Sequence, residues 1–192
     1  MSLSDRLDLI EKKISSEEFR NNTGTANEVG YYVFDYDPKD ELIVRDYVNE
    51  LVNKINSKEY LEYHINCFDL YDLMIQSLKE EDILDDILDM EETDGYSDVS
   101  NTIQDTMGIN SLNDNYIINT IKKSIDDKSI VFITGVGKAY PIIRAHKVLK
   151  NTHLEIDNVP VVIFLPGKYS GLEISLFSKL NTNYYRAFKL ID

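Results

Sequence analysis

The sequence predicts a three-layer α/β protein in which a mainly parallel, doubly wound sheet of five strands lies between two layers of helices. Apolar, β-branched and aromatic runs with the length of buried strands alternate with segments whose apolar residues recur at helical spacing. Strands and helices that alternate in this way form parallel strands joined by crossover helices. The five runs begin near Tyr31, Leu61, Ile130, Val161 and Tyr185.

The first half of the chain contains two of the predicted strands and most of the predicted helices. Apolar residues at helical spacing within residues 1–20 predict an N-terminal amphipathic helix. A strand is predicted over residues 31–36, and Asp37, which precedes a proline, is a typical cap for the helix that follows. The second strand is predicted over residues 61–66, and Asp69 is placed to cap the next helix.

An acidic segment follows the second strand and its helix. Helical spacing of apolar residues continues as far as residue 88. Residues 91–110 are polar and show no clear period, which predicts a loop. Helical spacing returns over residues 116–125 and predicts one more helix before the second half of the sheet.

The second half of the chain gives the clearest strand signals. Residues 130–134 and 161–165 are continuous apolar runs, as expected for strands buried on both faces of a parallel sheet. The other segments are predicted, in chain order, as a turn over 135–140, a helix over 141–150, a helix over 172–180 and a final strand over 185–191.

Length and composition indicate one domain that spans residues 1–192. A chain of 192 residues with 43% hydrophobic and 28% charged residues is typical of a globular domain. Eight glycines and four prolines leave no room for a long flexible linker. Within this domain we assign an N-terminal helix to residues 1–20 and an acidic, polar loop region to residues 91–110.

The sequence predicts a cytoplasmic protein without a membrane segment. Cys67 is the only cysteine, so an intramolecular disulfide is excluded. The chain opens with a charged amphipathic pattern instead of an apolar signal core. No apolar run approaches the ~20 residues that a membrane span requires.

The net charge of −14 is concentrated in one part of the chain. Residues 69–105 contain thirteen acidic residues and one lysine, whereas residues 106–192 contain eleven basic and seven acidic residues. The overall charge disfavours direct DNA binding, although the basic second half leaves it open. The acidic segment predicts either a solvated face or a docking face for a basic partner. The candidate docking residues are Asp82, Asp85, Asp86, Asp89, Glu91 and Glu92.

A second candidate surface lies where the predicted strands end, because ligands of such sheets bind at the carboxyl ends of the strands. Asp35 and Asp37 follow the first strand, and Cys67 and Asp69 follow the second. The candidate ligand or partner residues follow the third and fourth strands and extend into the helix between them. They are Gly135, Gly137, Lys138, Tyr140, Arg144, His146, Gly167 and Lys168.

The glycine turn that ends in Lys138 does not have the pattern of a phosphate-binding loop. A P-loop has the pattern G-x-x-x-x-G-K-[ST], whereas these two glycines are one residue apart and Ala139 follows the lysine. The dinucleotide pattern fails as well, since Tyr140 occupies the place of its third glycine. We therefore predict a degenerate P-loop-like or Rossmann-like fold without a functional phosphate loop, and no cofactor.

No catalytic or metal site is predicted. Residues 142 and 150, one helical turn on either side of His146, are not metal-binding types. Cys67 is the only thiol, and a packed cysteine is commoner than a nucleophile. The aromatic and basic residues of 184–189 could form a stacking platform, but alternation along a strand explains them more simply.

Three ordered signatures and the opening of the chain resemble the BrxB family. Residues 132–146, which contain the glycine turn, resemble its central signature, and residues 160–171 and 183–188 resemble its C-terminal ones. The segments 3–7 and 32–36 are similar to its opening. Leu165 and Ser178 depart from the expected phenylalanine and glycine, which concerns packing only.

The resemblance implies a small component of BREX systems, which mark host DNA by methylation and block phage replication. Its implied partners are other BREX proteins: a PglZ-like phosphatase-fold protein, an ATPase or a methyltransferase. The family supplies no catalytic residues to carry over. We therefore expect a non-catalytic assembly component of antiviral defence. A nucleotide-dependent switch or a nucleic-acid-binding adaptor in the same complex remains the alternative.

Overall fold

A computed structural model describes residues 1–21, 30–111, 113–177, 180–183 (backbone only) and 187–191. The helices are α1 (Leu3–Ile14), α2 (Glu17–Arg20), α3 (Glu41–Asn56), α4 (Leu70–Glu80), α5 (Leu84–Thr93), α6 (Tyr96–Thr106), α7 (Tyr116–Ser124), α8 (Val136–Ala139) and α9 (Ala145–Glu155). The strands are β1 (Tyr31–Tyr36), β2 (His64–Asp69), β3 (Ser129–Thr134), β4 (Val161–Tyr169), β5 (Glu173–Leu176), β6 (Leu180–Asn183) and β7 (Phe188–Lys189).

The predicted parallel sheet is confirmed. Five strands lie in the order β2-β3-β4-β1-β7, and every neighbouring pair in this order is parallel. Between β4 and β1 the register pairs Val33 with Ile163, and between β3 and β4 it pairs Ile133 with the same residue. β5 and β6 extend the far end of β4 as an antiparallel hairpin, which the sequence analysis did not predict.

Alternation along the buried strands divides the core into two layers. Val131 and Ile133 face the cluster that contains helices α4 to α7 and α9. Ile130 and Phe132, one residue out of step, face the cluster built with α1, α2 and α3. Because side chains alternate between the faces of a strand, the continuous apolar runs of β3 and β4 supply both layers. The result is the predicted three-layer α/β arrangement.

Asp35 joins four elements at the end of β1. Its carboxylate accepts hydrogen bonds from Arg6 Nη2 of α1 at 2.7 Å and from the backbone N–H of Tyr169 in β4 at 3.0 Å. Lys189 Nζ of β7 lies 3.9 Å away. Arg6 also donates to the carbonyl of Asp35 at 2.7 Å and stacks over the ring of Phe34. Only 12% of the Asp35 side chain is exposed, so these contacts compensate a charge largely removed from water.

Two regions differ from the predicted secondary structure. The helix predicted over 172–180 is wrong: β5 occupies residues 173–176, because Ile174 and Leu176 alternate inward and pair with the end of β4. The loop predicted over 91–110 is also wrong. α5 continues to Thr93, and α6 follows because Val99 and Ile103 are buried one helical turn apart.

Other boundaries shift by a few residues. β2 begins at His64, three residues later than predicted, and the caps by Asp37 and Asp69 are confirmed. The helix predicted from residue 141 begins at Ala145, and the turn before it contains the short helix α8. Of the final strand predicted over 185–191, residues 188 and 189 form β7, whereas residues 185 and 186 lie outside the described residues, as do Tyr184 and Ser178. In the described part of the chain, no helix has both the length and the apolar character to cross a membrane.

Replacing Asp35 with Asn should destabilise the protein by about 3 kcal/mol, because the Arg6 guanidinium would remain buried without a compensating charge. The free energy of unfolding in urea measures this loss. Asp46→Asn is the matched control, since Asp46 is an exposed residue of α3 and should change the stability by less than about 0.5 kcal/mol. Equal effects of the two substitutions would contradict a structural role for Asp35.

Candidate functional site

A polar cleft lies at the carboxyl ends of β1, β2 and β3, between α3 and α4. Its volume is about 610 Å³, which falls in the range of small-molecule sites. One wall carries Glu41, Arg45 and Asn49 of α3, and the other carries Asp72 and Gln76 of α4. The remaining lining includes Cys67, Asp69, Thr120, Ser124, Thr134, Gly135 and Lys138.

Asp69 is the most connected side chain of this cleft. One carboxylate oxygen caps α4 by accepting the backbone N–H groups of Tyr71 at 3.0 Å and Asp72 at 3.2 Å. The other oxygen lies 2.8 Å from Lys138 Nζ and accepts a hydrogen bond from Thr134 Oγ1 at 3.5 Å. The carboxylate therefore links the end of β2 to the turn that follows β3.

The Asp69 carboxylate leaves no space for a side chain at position 135, so the residue there is a glycine. Its φ of +70° is left-handed, a conformation that glycine adopts without steric cost. A Cβ placed on Gly135 would lie 2.2 Å from Asp69 Oδ1, far inside van der Waals contact. The glycine turn thus makes room for the protein's own carboxylate.

The other two glycines of the predicted surface also make room for neighbouring protein groups. A Cβ on Gly137 would lie 3.1 Å from the ring of Phe177, which contacts Tyr140 edge-to-face with 5.9 Å between the ring centroids. A Cβ on Gly167 would lie 2.1 Å from the backbone carbonyl of Ser175 in β5. These glycines therefore hold the β5 hairpin against α8 and β4.

Lys138 is neutralised by its neighbours. Besides Asp69, it lies 3.5 Å from Asp72 Oδ1, and its ammonium is 5.5 Å from the centroid of the Tyr71 ring. A lysine between two carboxylates has little positive potential left for a phosphate. α8, which follows the turn, has four residues and so lacks the dipole of a longer helix.

The α3 wall of the cleft holds a second set of coupled groups. The Tyr36 hydroxyl donates a hydrogen bond to Glu41 Oε2 at 2.5 Å, and Arg45 Nη2 donates to Glu41 Oε1 at 3.1 Å. Burial and the adjacent Glu41 carboxylate raise the pKa of Tyr36 well above its usual value. Tyr36 is therefore a hydrogen-bond donor at neutral pH and not a proton acceptor.

Cys67 has the wrong electrostatics for a nucleophile. Although solvent reaches the residue, protein atoms crowd its thiol, and this desolvation raises the pKa to about 11. The nearby Asp69 carboxylate raises it further, while a contact with Thr134 Oγ1 at 4.0 Å acts in the opposite direction. The thiol is therefore protonated at neutral pH.

The histidines do not form a metal or acid–base site with these groups. Across the ranges that the structure describes, no three His, Cys, Asp or Glu residues group as metal ligands. Desolvation, followed by the charges of Arg144, Lys147 and Lys150, lowers the pKa of His146. His64 contacts Ser129 Oγ at 3.2 Å and lies 3.6 Å from Asp126 Oδ1. Ser129 is buried, and it accepts the N–H of Asp126 and donates to that residue's carboxylate.

The structure divides the predicted ligand or partner surface into three parts. Gly135 and Lys138 line the cleft, while Gly137 and Tyr140 pack under Phe177. The remaining four lie outside the cleft lining: Arg144 and His146 at the start of α9, and Gly167 and Lys168 in β4. The sequence analysis named Asp69 as a strand-end residue but missed Glu41, Arg45, Asp72 and Thr134. Glu41 and Arg45 carry the i,i+4 spacing of a helical ion pair, which is the one signal that points to them.

The predicted acidic docking residues are all exposed to solvent. α5 buries Ile87, and Asp85, Asp86, Asp89, Glu91 and Glu92 are all exposed on it. Asp82 is exposed in the connection from α4 to α5. Within the described part of the chain, none of the six forms an ion pair. We call these six residues the acidic face.

The fold and the cleft define a three-layer α/β protein in which a strand-end carboxylate, Asp69, pairs with the lysine of the glycine turn. Residues 66–190 match the family described as BREX protein BrxB. The chain is 43% identical to the BREX protein BrxB of Bacillus cereus (strain H3081.97) over 191 residues, which cover 99% of this chain and 98% of that protein. It is 29% identical to the BREX protein BrxB of Escherichia coli O9:H4 (strain HS), covering 98% and 92% of the two chains. No solved structure matches the chain. The chain belongs to the BrxB family.

Replacing Gly135 with Ala should lower the stability by more than about 2 kcal/mol, because the substitution adds left-handed strain and a clash with Asp69. Urea unfolding of the single variant and of Gly135→Ala combined with Asp69→Ala separates the two causes. In the Asp69→Ala background, Gly135→Ala should cost only about 1 kcal/mol, the cost of the left-handed conformation. The same cost in both backgrounds would show that Asp69 does not require the glycine.

The purified protein should neither bind nor hydrolyse ATP, because Asp69 lies against Gly135 of the turn and neutralises Lys138. Titration calorimetry with ATP and Mg²⁺, together with a phosphate-release assay, measures both properties. ATP turnover that disappears in Lys138→Ala would show that the turn is a working nucleotide site.

Proposed function

We propose that this protein is a non-catalytic component of a BREX antiviral defence system and that it acts by assembling with other BREX proteins. Its membership of the BrxB family and its near-full-length similarity to two BREX proteins support the BREX assignment. The chemistry of the cleft supports the non-catalytic role: Lys138 is paired, Cys67 is protonated and Tyr36 is a donor. We place the protein in the cytoplasm, together with the DNA that BREX systems protect.

The acidic face is the observation that carries the assembly role. Five of its six carboxylates project from a single ten-residue helix, α5. Like charges this close repel one another and destabilise the folded state. Residues 84–93 contain no basic residue that would offset this repulsion along the helix. A basic surface on a partner would relieve this repulsion. The electrostatic free energy of the clustered carboxylates would then be favourable in the complex.

The partner class follows from this charge. A protein surface rich in lysine and arginine complements the acidic face, whereas the phosphate backbone of DNA does not. The candidates are the BREX proteins named by the family resemblance: a PglZ-like phosphatase-fold protein, an ATPase or a methyltransferase. We propose that the acidic face accelerates the encounter with one of them and sets the orientation of docking.

Changing the six residues of the acidic face to Asn or Gln should slow complex formation with the partner while leaving the protein folded. At low salt, the association rate constant should fall by about tenfold or more, because steering by complementary charge is lost. Resistance to phage should fall in cells that carry the whole defence locus. Asp82 has a φ of 56°, and asparagine tolerates this left-handed conformation, so the change at that position should not impair folding.

A second variant with the same change in charge controls for net charge alone. It neutralises six exposed acidic residues elsewhere on the chain: Asp8, Asp46, Glu50, Glu59, Glu62 and Glu173. This variant should associate with the partner at nearly the parent rate. If the two variants assemble and protect cells equally well, the acidic face is only a solubility feature.

A further inference from the structure

The outer edge of β2 is one border of the parallel sheet, since among the residues that the structure describes β3 is the only strand paired with it. The N–H of His64 donates to the carbonyl of Lys128 at 3.2 Å, which directs the backbone groups of His64 toward the β3 side. Backbone groups of successive residues in a strand point to opposite sides. The groups of Ile65, and then those of Cys67, therefore point away from β3.

Asn56 covers the first part of this edge. The N–H of Ile65 donates to Asn56 Oδ1 at 2.8 Å, and Asn56 Nδ2 donates to the carbonyl of Ile65 at 2.9 Å. The side-chain amide thus supplies the hydrogen bonds that a neighbouring strand would supply. Proteins commonly protect edge strands in some such way, because an open edge attracts other chains.

Cys67, two residues further along β2, has no such cover. Its backbone N–H and C=O have no hydrogen-bond partner among the residues that the structure describes. The residue is exposed, and it lines the cleft between α3 and α4. An unpaired donor and acceptor on a sheet edge is the feature by which a sheet accepts an added strand.

We propose that the cleft receives an extended segment of a partner polypeptide, which adds to the edge of β2 at Cys67. This inference rests on the proposed assembly role and assigns it a second contact. The cleft walls fit a peptide backbone, because Asn49 carries an amide that can both donate and accept, and Gln76, whose Nε2 donates to Glu80 at 2.7 Å, has a carbonyl oxygen that can accept. Backbone groups, and not a specific small molecule, are the natural partners of an open strand edge.

The net charge of the cleft determines which kind of peptide segment can bind. Glu41, Asp69 and Asp72 outnumber Arg45 and Lys138 by one. Of these, the Asp72 side chain is 73% exposed and is the carboxylate most open to a ligand. An acidic segment is therefore repelled, and a segment with a basic side chain can place that group against Asp72.

Cys67→Pro tests the pairing directly. Because the N–H of Cys67 points away from β3, proline removes the outward donor and leaves the β2–β3 hydrogen bonds in place. The matched control is Cys67→Ser, which keeps the backbone. The probes are synthetic peptides of about twelve residues that tile the other BREX proteins, measured by fluorescence anisotropy with the full chain. The peptide that binds should lose about tenfold in affinity to Cys67→Pro and keep its affinity for Cys67→Ser. Equal affinities for the two variants would overturn the proposal.

Protection of the single thiol provides a test that needs no folding-sensitive variant. Iodoacetamide can modify only Cys67 by its thiol chemistry, since the chain has no other cysteine, and the reaction is followed at alkaline pH because burial raises the pKa of this thiol to about 11. In the complex with the bound peptide, or with the purified partner protein, alkylation should slow by about tenfold, as expected when binding exceeds 90% occupancy. An unchanged alkylation rate in a saturated complex would show that the cleft is empty there.

The two proposals fail separately. If neutralising the acidic face weakens assembly but Cys67→Pro and alkylation have no effect, the strand-edge contact is wrong and the assembly role stands. If the protein forms no complex with any purified BREX protein, and no peptide binds, the assembly role itself is wrong.

Discussion

The Asp69 carboxylate holds the end of β2 to the end of β3, and much of the cleft depends on this connection. It caps α4 with one oxygen and pairs with Lys138 through the other. The first contact sets where α4 leaves the sheet, and the second sets the path of the turn between β3 and α8. Gly135 adopts a left-handed conformation beside this carboxylate, and the Cβ of any other residue would occupy the space of the carboxylate. The residues are partly exposed, so the pair contributes geometry more than stability.

The end of β1 is arranged in the same way. Asp35 is paired with Arg6 of α1, as Asp69 is paired with Lys138. In open α/β sheets the strand ends are the usual place for ligands, because backbone donors and side chains converge there. Here two strand-end carboxylates meet cations from the same chain. The edge is therefore electrostatically satisfied without a phosphate, which is why we propose recognition through the acidic face and through backbone groups instead.

The sequence was sufficient for the parts of the fold in which local pattern and environment agree. β3 and β4 are buried on both faces, so their apolar runs located them within a few residues. β2 was placed three residues early because it is an edge strand, in which only Ile65 and Phe68 are buried.

Residues 172–180 carry leucines four residues apart, which fits a helix as well as a hairpin, and pairing with β4 decides between them. Residues 91–110 contain many polar and acidic side chains, so the helical spacing of the buried Val99 and Ile103 was not recognised. The cleft itself could not be predicted, since its walls come from residues far apart in the chain, such as Arg45 and Gln76.

The glycine turn shows that a sequence motif can be assigned a chemical role only when the groups around it are known. Two glycines and a lysine between a strand and a helix fit anion binding, and the sequence argues against it only by pattern: the glycine spacing, Ala139 after the lysine and Tyr140 in the place of a third glycine. The structure adds a stronger argument, because each glycine is explained by a specific protein atom close to it. A turn that binds phosphate needs vacant N–H groups and an unpaired cation. This turn lies against Asp69, and its cation is shared between two carboxylates. The glycines of this signature are therefore packing residues, whereas the carboxylates of α5 and Cys67 at the edge of β2 are exposed to solvent.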